Sequence, residues 1–445
     1  MAIASYLPQI MMIKLKSDLN VLLNPDDPEK FETAEQIGVF FHEWIHYLHN
    51  TTTLLGLSSF NSSVALWHLF RNTYKDGVAG GSDYLPKEEQ EYLTKILNVI
   101  EKIYFSNVHD ERRLLNTISF ESLEMIDVKP LEDPIIREMH TLQCKLKERG
   151  YDSEYVIFVN THEIIENVAA LLEHRLVTKL KGSPLPTPIV PYRIIELIAQ
   201  PYNLNTEQLI CCMLATLQTP SPPSVLLETF ELANNAILSG QSPIEALKEF
   251  TLLQIKTNEN FISDTRSFIT ESFPVDEFIG NGLKKVFNKI EQNITVHRRE
   301  NPFFEISIID QICVDVGNNF NDAIKKYDGC AVLIERSGKF DDVERDVMYE
   351  FINSDHSTDW HIFHAAYFFI GSHINKIKKS FVSHNEVKAH TCPFYTSCTL
   401  ELRQTESSIC KKTPWQSETW SGWQQPNKDT CWYGVAVRQT RLPEN

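Results

Sequence analysis

A chain of 445 residues, 42% hydrophobic and 23% charged, is long enough for two or three domains with real cores and has an ordinary globular composition. Its formal net charge of −17 argues against a general nucleic-acid or anionic-membrane binder, since phosphate contacts need clustered Lys and Arg. No apolar run approaches the ~18 residues that span a bilayer, and residues 1–8 lack the basic start of a signal peptide, so the cytoplasm is the expected compartment.

Two short strands are expected first, at 9–15 and 20–24. A helix should follow from Asp27-Pro28, an N-cap with proline at the first helical position, with Glu29 and Glu32 favouring its dipole. Phe31, Ala34, Ile37, Phe41, Ile45 and Leu48 recur at the three- and four-residue spacing of a buried stripe, and Asn50 with the threonines at 51 to 53 ends the helix. Within it stands His42-Glu43-x-x-His46. Histidines four apart share one helix face, so two imidazoles can grip one Zn²⁺ while the carboxylate between them takes a proton from water. The five-residue pattern is weak alone, but its flanks (Phe40, Phe41, Trp44, Ile45, Tyr47, Leu48) are uncharged. Buried imidazoles and carboxylates cost free energy without a partner, and a metal supplies one. His49, one turn on, is read as a solvated residue near the helix end rather than as a ligand.

This stretch resembles the signature of the zincin zinc metallopeptidases. The resemblance implies His42 and His46 as zinc ligands and Glu43 as general base. It also implies a small sheet just upstream, whose edge strand holds the substrate backbone by strand addition. A third protein ligand is then needed, leaving one position for water. After a strand at 155–160, a helix over 161–178 offers Glu166, with Ile164, Ile165, Val168, Leu171, Leu172 and Leu176 on its apolar side. Ala169 and Ala170, one turn beyond Glu166, would let it approach the first helix closely. The gluzincins, whose third ligand is a glutamate commonly followed by a small residue three positions on, are similar at Glu166 and Ala169. Glu173 and Glu163 are the alternatives. The 119 residues between His46 and Glu166 exceed the spacing of compact gluzincins, so no subfamily is identified and a large insertion must fold into the catalytic unit. In this group a Tyr or His usually stabilises the oxyanion; Tyr155 and His162 are among the candidates.

Prolines 184, 186, 188 and 191 mark a linker into a helical region. Helix starts are signalled by Asn205 with Gln208, by Ser221-Pro222, and by the capping box Ser242-Pro243-Ile-Glu245. A helix over 359–378 carries His361, His364 and His373; no carboxylate completes a metal set there, so they read as satisfied core or surface histidines.

Cys144, Cys211, Cys212, Cys313 and Cys330 are scattered and read as buried small apolar residues. Cys392, Cys398, Cys410 and Cys431 are instead bunched, with Trp415, Trp420, Trp423 and Trp432 among them. A short segment with little helical periodicity does not easily build its own core, and a second metal would staple it. Their spacings of five, eleven and twenty residues match neither zinc knuckles nor ferredoxin runs, so structural zinc, an iron–sulfur cluster and plain reduced or paired cysteines stay open. A reducing compartment disfavours disulfides.

The expected fold is α+β and predominantly helical: a zincin-like catalytic region over 1–182, a helical region over 192–380 and a Cys-rich module over 388–445. The expected function is that of a zinc-dependent metalloendopeptidase acting on a protein or peptide substrate. Its large embellishment suits a selective regulatory protease, with a regulatory protein as a further candidate partner and no nucleic-acid or membrane partner. The rivals are a zinc hydrolase for a non-peptide amide and a non-catalytic scaffold held by metal. Glu43 tells against the scaffold, since a structural site needs no base.

Overall fold

The computed structural model describes residues 4–8, 11–16, 33–75, 78–104, 117–126, 133–149, 154–273, 278–327, 330–340, 343–350, 357–419 and 431–441. They are mostly helical, with small sheets. Strand β1 (Ala4–Leu7) pairs antiparallel with β2 (Met12–Leu15), which runs parallel to Ala331–Phe340; that strand turns back on Val343–Glu350. One sheet thus draws on the start of the chain and on its last third, with β1 at an edge among the described strands. β2 falls inside the expected 9–15, β1 was not anticipated, and 20–24 lies outside the described residues. A second, three-stranded antiparallel sheet joins Ile118–Met125, Leu142–Glu148 and Glu154–Val159.

Four helices frame the motif: α1 (Ala34–Thr52), α2 (Leu54–Asn72), α3 (Lys87–Tyr104) and α4 (Thr161–Lys179). α1 is capped not at Asp27 but at Thr33, whose hydroxyl accepts the Gln36 N–H at 3.2 Å. The Asp-Pro signal is purely local, whereas the helix begins one turn before Ile37, the first apolar residue it buries. Residues 27–32 themselves lie outside the described set. Thr53 closes α1 and caps α2, donating to His49 O at 2.7 Å and accepting the Gly56 N–H at 3.0 Å. The corner is so tight that a Cβ on Gly56 would collide with the Asn50 carbonyl.

α1 packs on α4, on α2 and on the helix Phe278–Gln292. The middle helices start where the capping signals place them: Asn205 and Gln208 bond reciprocally at 2.9 Å, and Ser242 accepts the Glu245 N–H. Ser221-Pro222 opens a 3-10 turn just before the helix Leu226–Leu238. The histidine-bearing helix spans Ser357–Ser372, shorter than expected, because residues 374–375 turn into a small hairpin with Ser380–Phe381. His361, His364 and His373 are all buried. The C-terminal segment holds more helix than its periodicity suggested: Glu401–Thr405, Ser407–Lys412 and Trp432–Gln439. The last packs on Ser357–Ser372, and Arg71 of α2 donates to Gln439 O at 2.7 Å. Trp420 and Trp423 lie outside the described residues. The main apolar core includes residues from Ala4 to Val437.

Candidate metal centre

α1 presents His42 and His46 to α4. His42 Nε2 lies 3.3 Å from Glu166 Oε2, and His46 Nε2 lies 3.5 Å from Glu166 Oε1. Among the described residues, His42, His46 and Glu166 form the group of potential ligands whose donor atoms all lie within 4.8 Å of one another. Ligands held at about 2.0–2.1 Å by one tetrahedral ion stand about 3.4 Å apart, so the spacing suits zinc. Two imidazoles and a carboxylate are also the donor set of a catalytic zinc, with a position left for water.

The remaining carboxylates divide their tasks. Glu173, two turns after Glu166, sets Oε2 3.0 Å from His42 Nδ1, so the two carboxylates engage the two nitrogens of one ring. Glu163 caps α4 instead, accepting the Asn160 N–H at 2.7 Å. His162 Nδ1 lies 3.8 Å from Glu166 Oε1, while Tyr155 sits on the preceding strand opposite Leu146.

Burial acts on Glu166, His42 and Glu43. It pushes the Glu166 carboxyl up, but His46 and His42 more than offset it and hold Glu166 well below the usual carboxylate range. It opposes a charge on His42, yet Glu166 and Glu173 carry that imidazole well above its ordinary value. Glu43 is raised, chiefly by burial, against the pull of His42 and His46 and of a hydrogen bond donated by the Tyr6 backbone N–H. That bond joins β1 to the motif. The Tyr6 ring also stacks on His46 with centroids 6.3 Å apart, and its hydroxyl accepts from Asn50 Nδ2 at 3.1 Å.

Two site residues carried no usable sequence signal. Tyr192 follows the proline stretch, and its ring centroid lies 6.0 Å from that of His42. Burial first, then Glu166, Glu43 and Glu173, raise its phenol far above its ordinary value and keep it protonated. Asn167 Oδ1 accepts the Ile195 N–H at 2.8 Å and ties this loop to α4. His49 corrects the sequence reading: it is not solvated but 2% exposed, with Nε2 3.7 Å from Glu305 Oε1. α1 runs straight into α2, so its end is inside the protein. Glu305 in turn grips the fully buried Arg298 through two bonds of 2.7 and 2.8 Å, and Arg298 Nη2 donates to Thr52 Oγ1 at 2.7 Å. Burial, then Arg298, holds His49 well below its ordinary pKa, hence neutral.

Away from this centre, His361 stacks on Trp432 with ring centroids 3.8 Å apart and His364 packs on Phe394, as core histidines do. None of the nine cysteines is disulfide-bonded; Cys144, Cys211, Cys212 and Cys330 are buried as expected, and Cys313 is half-buried. No protein-family model matches the chain, and no curated protein or solved structure is significantly similar to it.

Proposed function

We propose that this protein is a zinc-dependent metallopeptidase acting on protein or peptide substrates in the cytoplasm. The observation that carries the reading is the convergence of His42, His46 and Glu166 from two helices, with Glu43 on the adjoining turn. A zinc held by these three side chains would activate a water and polarise the scissile carbonyl. Glu43 accepts the proton of the attacking water and returns it to the leaving amine. Glu173 holds His42 in the tautomer that leaves Nε2 available. Tyr192, protonated and close to His42, is the donor best placed to receive the oxyanion. β1, an edge strand bonded to Glu43 through Tyr6, supports binding of an extended peptide by strand addition. So embellished a site suits selective cleavage better than digestion.

The test separates chemistry from assembly. Glu43→Gln is nearly isosteric and cannot take the proton, so it should keep fold and zinc while peptide cleavage falls by about 10²–10⁴. His46→Ala should lose zinc and activity together. Cleavage is read by mass spectrometry on a mixed peptide library. A Glu43→Gln protein that cleaves at the wild-type rate overturns the proposal and leaves the scaffold; zinc hydrolysis confined to non-peptide amides would redirect it.

A further inference from the structure

A cavity of about 1080 Å³ opens between α2, α3, the helix Ser357–Ser372 and the hairpin that follows it. None of His42, Glu43, His46 or Glu166 lines it, so the proposed peptide chemistry makes no use of it. Its walls are mainly apolar: Leu7 of β1, Leu66 of α2, Leu97 and Ile100 of α3, and Tyr367 and Phe368 of the helix Ser357–Ser372. Leu66 and Ile100 are buried, whereas Phe368 is exposed and Ile377, in the hairpin turn, is 95% exposed. Apolar surface therefore extends from a buried floor to an exposed lip. Sites for small ligands are typically concave, apolar and supplied with a few polar groups that fix orientation.

Here those polar groups are mostly cationic. Lys376, Lys379 and Lys388 line the cavity, against two carboxylates, Glu101 and Glu386. Both carboxylates are already engaged. Glu101 accepts from Lys379 at 2.6 Å, and Glu386 accepts the Ser383 N–H at 2.9 Å and the Ser383 hydroxyl at 2.7 Å. Lys376 and Lys388 are exposed beside them. In a chain of formal net charge −17, this cavity joins an apolar floor to a basic lip. A compact polar metabolite would leave the apolar walls uncovered, and a neutral hydrocarbon would make no use of the lysines.

We propose that this cavity binds a fatty acid or a similar single-chain anionic amphiphile. The alkyl chain lies against Leu66, Ile100 and Tyr367, and the head group meets Lys376 and Lys388. Phe368 and Ile377, which otherwise face water, are covered by the bound chain. The site needs no metal, so the proposal stands apart from the metallopeptidase reading.

The experiment is calorimetric titration of the full-length protein with amphiphiles kept below their micellar concentrations. Myristate has two more methylenes than laurate and should bind roughly tenfold more tightly. Dodecyltrimethylammonium, with a chain of similar length and a cationic head, should bind more weakly than laurate; Lys376→Glu combined with Lys388→Glu should reverse that order. Gly371 offers a blocking variant, because it lines the cavity and a Cβ there would meet nothing within 4 Å. A side chain also suits a helix better than glycine does. Gly371→Phe should therefore keep the thermal unfolding midpoint while losing about tenfold or more in myristate affinity, the worth of two methylenes. His46→Ala should bind myristate as the wild type does. Wild-type affinity in Gly371→Phe, or indifference to chain length or to the sign of the head group, overturns the proposal. So does binding confined to phosphatidylserine vesicles with no uptake of monomeric myristate.

Discussion

Gly38 is a point of close approach between α1 and α4, and a methyl group there tests whether the metal geometry depends on it. A Cβ on Gly38 would fall well inside van der Waals distance of Val177 Cγ2 and 3.3 Å from Glu173 Cγ. A helical valine has essentially one rotamer, so Val177 cannot swing aside. The helices must instead part by something on the order of an ångström to restore ordinary carbon contacts. Two terms then compete. Alanine gains about 1 kcal/mol of helix propensity over glycine, whereas overpacking costs about 1–3 kcal/mol. Stability should therefore change by between nothing and a loss of about 2 kcal/mol. Zinc affinity discriminates better. α4 carries both Glu166 and Glu173, and a metal site tolerates distance errors of only about 0.2 Å. Gly38→Ala should lose at least the 10–100-fold that removing an outer-shell partner typically costs, roughly speaking. Competition with a chromophoric chelator measures the affinity, and urea unfolding of metal-free protein measures the stability. Gly38→Ala with Val177→Ala removes the clashing methyl and should recover much of the affinity. A Gly38→Ala protein with wild-type zinc affinity and the full propensity gain would refute the reasoning.

Glu173→Gln should weaken zinc binding by roughly 10–100-fold while Glu163→Gln, which alters a helix cap, leaves it unchanged; equal effects in the chelator assay would contradict the roles assigned here. Glu305→Gln strands the Arg298 charge in the core and should cost about 3–5 kcal/mol in urea unfolding; a loss below about 1 kcal/mol would mean the pair is not load-sharing as its burial implies. Burial lowers His364 to about 3 and His373 to about 4, so the unfolded chain takes protons first as pH falls. Stability is therefore kept above the unfolded value of about 6.5 and lost below it, by about 2 kcal/mol per histidine at pH 5; His373→Gln should flatten that slope.

What was legible in the sequence lay on single helices. The four-residue spacing of His42 and His46 encodes their common face, and the small residues after Glu166 encode close approach, because both are properties of one regular element. The same helix left Glu173 open as a rival ligand, since seven residues also return to one face. Only the partner helix decides that Glu173 meets His42 from behind while Glu166 meets it from the front. Elements defined by distant partners were not legible. β1 has four residues and depends on a sheet completed by Ala331–Phe340, and Tyr192 is positioned by a loop tied to Asn167. The C-terminal helices run five to eight residues, too short for a helical period to stand out.

Burial along α1 separates the work of its residues. From Phe40 to Thr52 every side chain is buried except that of Glu43. Ligands need water kept away, because competing hydration weakens each coordinating bond and loosens its geometry. A general base needs the reverse: reach to a water and to a leaving amine, with its carboxylate held in one orientation. Glu43 is only part-buried, and the Tyr6 backbone N–H bonds its carboxylate, as the proposed role would require. A helix serving only as a scaffold would gain stability from an apolar residue at position 43, since burying most of a carboxylate there costs free energy. Its place between two potential metal ligands and beside an edge strand is what the proposed catalytic role would explain and packing would not.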